Sequence, residues 1–82
     1  MQFASREDGE YLIYAGCLEL RAGAGFMAAV VVNRTRAPRM TKQEVYRDLA
    51  LSGGHLWATS NEALASALTQ GHRAIAQERS RP

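Results

Sequence analysis

Cys17, His55 and His72 are the only soft or borderline metal ligands in this chain, the thiol and imidazole groups it carries. No two of them stand at a C-x-x-C or H-x-x-x-H separation, the spacings that let one turn or one helix face present paired ligands. A metal site would need all three to converge with a carboxylate such as Asp48. Cys17 lies between Gly16 and Leu18 in an apolar run, where a thiol packs as a small hydrophobe. To become a nucleophile it would need a neighbouring base or a helix N-terminus. Ser52, Ser60, Ser66 and Ser80 sit in turn, cap, helix and tail contexts, and no G-x-S-x-G elbow is present. The eight acids are scattered or gathered near the start, so no carboxylate pair suggests acid–base work. Gly23-Ala24-Gly25 joins two expected strands and does not open a helix, which argues against a phosphate cradle. A chain of 82 residues also has little room for a pocket of ~300 Å³. The expectation is a non-catalytic protein with no catalytic residue, cofactor, metal or small-molecule substrate.

Charge offers a second kind of chemistry. Arg34, Arg36, Arg39 and Lys42 fall within nine positions without an acid among them, and Arg73 and Arg79 could add to the same field. Arginine meets phosphate through charge-assisted, often bidentate hydrogen bonds. Four neutralised phosphates would give a slope of about −3.6 in log affinity against log salt on duplex DNA. Against that reading stand a net charge of only +2 and the absence of a known reading motif. Nucleic acid is therefore the alternative partner and not the favoured one.

These groups must be held by a fold. Residues 11–20 are rich in aromatic and aliphatic types, with Leu12, Tyr14, Leu18 and Leu20 on one face of an extended chain and Gly16 marking a bulge or a close approach. Arg21 to Gly25 reads as a turn, and Phe26 to Asn33 contains three consecutive valines, whose restricted χ1 opposes a helix. The result is a β-hairpin over 11–33. Residues 1–10 lack periodicity and end in the turn pair Asp8-Gly9, so they read as a flexible lead-in, as do 80–82 at the other end. Two readings compete for 41–52. Thr41-Lys42-Gln43-Glu44 resembles a capping box for a helix over 42–51, whereas Val45, Arg47, Leu49 and Leu51 alternate as in a third strand. Thr59 to Glu62 forms a capping box for a helix over about 60–79, with Leu64, Leu68 and Ile75 as its apolar stripe, broadened by Ala67, Gly71 and Ala74. Gly71 costs about 1 kcal/mol in a helix interior, which implies that it admits a close backbone approach to the sheet.

The order of strand, glycine turn, valine-rich strand, basic linker and the junction Leu56-Trp57-Ala58-Thr59-Ser60-Asn61-Glu62-Ala63, with Gly71-His72-Arg73-Ala74-Ile75 near the helix end, resembles a group of short uncharacterised proteobacterial proteins. The resemblance spans roughly residues 11–76 and implies β-β-β-α in preference to β-β-α-α. It implies no activity. The fold class expected is α+β, one domain over 1–82, with a small antiparallel sheet packed by one C-terminal helix.

Size and composition then pose a problem. A domain this small is marginally stable, and a single cysteine rules out a disulfide within the chain. A lone thiol, no signal-like N-terminus and no apolar run near ~20 residues lead to the expectation of a cytoplasmic protein without membrane contact. Both faces of the second strand are apolar: Phe26, Ala28, Val30 and Val32 on one, Met27, Ala29 and Val31 on the other. One helix buries one face. The remaining apolar residues, with Tyr11 and Ile13 grouped beside Met27, Ala29 and Val31, suggest a homodimer. Trp57, just before the helix cap, has two readings, a ring on which a ligand stacks and a staple that pins the helix entry to the sheet, and the staple is favoured.

Overall fold

In the computed structural model, which describes residues 1–36 and 41–81, the chain forms a five-stranded antiparallel sheet covered on one face by a single long helix. The strands are β1 (Gln2–Asp8), β2 (Tyr11–Glu19), β3 (Phe26–Arg36), β4 (Thr41–Asp48) and β5 (Leu56–Trp57). A single turn, α1 (Leu51–Gly54), precedes β5, and α2 (Ser60–Arg79) follows it. Strands β1 to β4 form a meander in chain order, and β5 pairs with the start of β3 at Phe26 and Met27. The expected hairpin and C-terminal helix are both present.

Residues 2–8 are not a lead-in. They pair with β2 along their whole length, from Gln2 opposite Cys17 to Asp8 opposite Tyr11. Gly9 has φ +62° in the two-residue connection, a torsion that closes a tight hairpin without Cβ strain. Periodicity was weak because β1 is an edge strand carrying Arg6, Glu7 and Asp8, and main-chain bonds carry its pairing.

Residues 41–48 form a strand, so the helix over 42–51 is not realised. A capping box is a local preference worth about a kilocalorie, whereas β3 offers a full ladder of backbone partners. Register shifts between Val32 and Asn33, where Tyr46 opposes Val32 and Glu44 opposes Asn33. Val45 is the extra residue of this bulge. Gly16, by contrast, keeps regular pairing; the Phe3 ring lies against it, 3.4 Å from where a Cβ would stand.

The core lies between α2 and the inner face of the sheet. Ile13, Val30, Val32 and Ile75 are its largest fully buried side chains. On β2 the odd positions Tyr11, Ile13, Ala15 and Cys17 are buried, leaving Leu12, Tyr14 and Leu18 on the outer face. On the helix the most deeply buried line is Ala63, Ala67, Gly71, Ala74 and Ile75, while Leu64 and Leu68 flank it. The expected stripe is thus rotated toward its small residues, because Ile13 reaches up under Gly71.

Thr59 caps α2 as the sequence indicated: its Oγ1 accepts a hydrogen bond from the Glu62 backbone N–H at 3.1 Å. Replacing Thr59 with alanine leaves that amide without its side-chain partner and lowers the unfolding free energy by about 1 kcal/mol. A shift of the urea midpoint at constant slope would measure it, and an unchanged midpoint would refute it.

Candidate functional site

The outer face of the sheet collects the apolar residues that α2 cannot reach. Antiparallel partners share a face, so the register places Phe3 beside Gly16, Tyr14 beside Val31, Gly16 beside Ala29, Leu18 beside Met27, and Met27 beside Leu56. Phe3 is 74% exposed and Leu56 41%, large values for apolar side chains. Gly16 and Ala29 floor an apolar trough of about 280 Å³ whose rim is Met1, Phe3, Leu18, Met27 and Leu49. Small residues in the centre and large ones at the edge make a surface with relief. Along the β4 side the rim turns polar: Arg47 Nε donates to Glu44 Oε1 at 2.7 Å, and Lys42 Nζ donates to the Tyr14 hydroxyl at 3.4 Å.

Of the residues expected on a self-association face, Met27, Ala29 and Val31 lie here together. Tyr11 and Ile13 do not. They are 4% and 0% exposed on the opposite, helix-covered face, because residues of odd number on β2 pair with residues of even number on β3.

The basic segment does not present one surface. Arg34 belongs to the helix side, where its guanidinium meets Glu10 Oε1 at 2.9 Å and lies 5.8 Å from the centre of the Tyr11 ring. The Glu10 hydrogen bond and charge push the Arg34 guanidinium still higher than usual. Lys42 lies on the other side, with Tyr14. Arg36 ends β3 opposite Thr41, and Arg39 lies outside the described residues.

The possible metal ligands are likewise apart. Cys17 is buried under α2, and His55 stacks edge-on to Trp57 with ring centres 4.6 Å apart. His72 pairs instead with Asp8. Among the described residues no three His, Cys, Asp or Glu side chains gather as a metal would require. No described helix is long and apolar enough to cross a membrane.

Asp8 joins the first strand to the last helix. Its Oδ2 lies 3.2 Å from His72 Nδ1, and its Oδ1 accepts from Arg79 at 3.1 Å. The Arg79 guanidinium also lies over Tyr11, 5.4 Å from the ring centre. The His72 hydrogen bond is the largest influence on the Asp8 carboxyl; desolvation opposes it, and the Arg79 hydrogen bond with the charges of Arg79 and His72 leaves the group below the usual aspartate range. A carboxyl depressed by folding stabilises the native state above its unfolded pKa, and the contribution disappears as pH falls through the folded value. The stability difference between the native chain and Asp8→Asn therefore shrinks as the pH falls below about 3.8. Urea titrations at pH 5 and pH 2, both on the acid side of the usual imidazole range, test this; a difference that stays the same or grows between them would contradict it.

On the helix side a second concavity of about 530 Å³ runs between α2 and β4, with Tyr46, Asp48, Trp57, Ser66, Gln70 and Arg73 among its walls. It exists because α2 packs on β2 and β3 and leaves β4 largely uncovered. So short a chain was not expected to have room for a pocket of even ~300 Å³, and this one exceeds that. Ser66, Gln70 and Arg73 recur at helical spacing, but a solvated helix flank has the same pattern. No protein-family model matches this chain, and no curated protein or solved structure matches it either.

Proposed function

We propose that this protein is a non-catalytic assembly module that pairs with a second copy of itself through the outer face of its sheet. The observation that supports it is the use of the two segments that might have shielded that face. Residues 2–8 and 41–48 extend the sheet sideways as β1 and β4, and neither folds over Leu18, Met27, Val31 and Leu56. The area suits a dimer. Four strands spaced ~4.8 Å apart over about seven residues give roughly 440 Å² of flat footprint per copy. Two copies approach ~1,000 Å², the size a specific interface should clear, before side-chain relief is counted. A two-fold pairing uses the same patch on both partners, and this patch has an apolar centre and a polar rim at Lys42, Glu44 and Arg47.

Sedimentation equilibrium or light scattering at ~100 μM should give twice the chain mass. A single-chain mass at that concentration would overturn the proposal.

A further inference from the structure

We propose that the groove between α2 and β4 binds a nucleoside monophosphate, a ligand class that the self-association reading does not involve. The groove lies on the opposite side of the sheet from the apolar trough, so the two sites are independent.

The registers set the order of groups along it. Trp57 opposes Phe26, Asp48 opposes Val30 and Tyr46 opposes Val32, so the three follow one another along β3. Helix α2 begins three residues after Trp57 and runs along the groove, presenting Ser66, then Gln70, then Arg73. The aromatic ring and the guanidinium therefore mark opposite ends. Gln70 Nε2 donates to the Tyr46 hydroxyl at 3.2 Å, tying the walls together between them. That phenol retains its own proton for donation.

Each end has a chemical preference. Arg73 is exposed and makes no ion pair among the described residues, so its full fork of donors is available to an anion. The Tyr46 hydroxyl adds a neutral donor from the strand side of the groove. Asp48 repels an anion from the middle of the groove. Its Oδ1 accepts from the Ala50 backbone N–H at 3.1 Å, and its other oxygen remains to accept from a ligand hydroxyl. Half-buried Trp57, edge-on to His55 with ring centres 4.6 Å apart, lines the groove and supplies the aromatic surface for a flat base, an interaction worth a measurable share of affinity. An anion, then vicinal hydroxyls, then a planar heterocycle is the sequence of groups in a nucleoside monophosphate. The volume of about 530 Å³ falls in the range of small-ligand sites. At its rim, Ser52 holds φ +54°, a left-handed torsion that a residue other than glycine rarely adopts and that is found disproportionately at ligand sites.

Trp57 is the only tryptophan, so its emission reports directly on the groove. Titration with AMP should change that emission saturably, whereas inorganic phosphate and adenosine, each carrying one half of the recognised chemistry, should bind at least tenfold more weakly. Arg73→Gln, an exposed substitution that leaves the core untouched, should weaken AMP by about tenfold or more, the loss expected for a charge-assisted hydrogen bond. Amide chemical shifts should move at Tyr46, Ser66 and Arg73 and stay fixed at Met27 and Leu18. No saturable response up to about 10 mM AMP, equal affinity in Arg73→Gln, or adenosine binding as tightly as AMP would each overturn the assignment.

Discussion

Gly71→Ala should lower the unfolding free energy by about 1–3 kcal/mol, even though alanine is the better helix former by about 1 kcal/mol. A Cβ at this position would stand 2.5 Å from Ile13 Cγ2, with Cδ1 at 3.1 Å and Cγ1 at 3.2 Å. Ile13 is fully buried and β-branched, so its Cγ2 cannot swing aside as the tip of a long side chain could. Either α2 lifts off the sheet, loosening Ala67 and Ala74 as well, or Ile13 leaves its rotamer. Ile13→Ala removes the obstructing atoms at a cost of about 2–5 kcal/mol, and in that background the second substitution should cost much less or become favourable. Urea midpoints of the four proteins make the cycle. Equal effects of Gly71→Ala in both backgrounds, or a more stable single variant, would show that the helix does not approach the strand this closely.

If the chain pairs as proposed, Met27→Glu should convert the dimer to a folded monomer. Met27 lies on the outer face between Leu18 and Leu56, at the rim of the trough, and makes no part of the buried core. Alone in water the glutamate is solvated, so far-UV circular dichroism should match the parent. In a face-to-face dimer it would enter an apolar centre with no cationic partner, a cost of several kilocalories per mole. A loss of about 2.7 kcal/mol already raises the dissociation constant a hundredfold. The parent should melt at a temperature that rises with protein concentration, and the variant at one that does not. Arg47→Ala, on the polar rim, should change the mass distribution little, since exposed ion pairs contribute at most about 1 kcal/mol. A Met27→Glu chain that keeps twice the monomer mass would mean that association uses some other surface, such as the free edge of β1.

The local elements legible beforehand were those whose own residues demand them. Three valines after a glycine turn resist a helix, and Thr59 with Glu62 starts one regardless of its surroundings. Gly71 could be read as a point of close approach because a mid-helix glycine is costly without one. The division of β3 into an Ala28, Val30, Val32 face and a Met27, Ala29, Val31 face also follows from strand alternation alone.

Other features were decided between distant segments. Gln2–Asp8 has too little hydrophobic pattern to announce a strand, and Thr41–Asp48 carries a helix signal; both became strands because β2 and β3 each offered an open row of backbone partners. Which face of β2 lies inside could not be read from a strand apolar on both sides. It was settled when α2 docked with Gly71 over Ile13, which buried the odd positions and left Leu12, Tyr14 and Leu18 outside. Grouping Ile13 and Tyr11 with Met27 failed for that reason. The groove at Arg73 is likewise a product of docking, since a helix seated on β2 and β3 leaves β4 bare. Periodicity records which residues share a face; only the pairing of faces determines what each one meets.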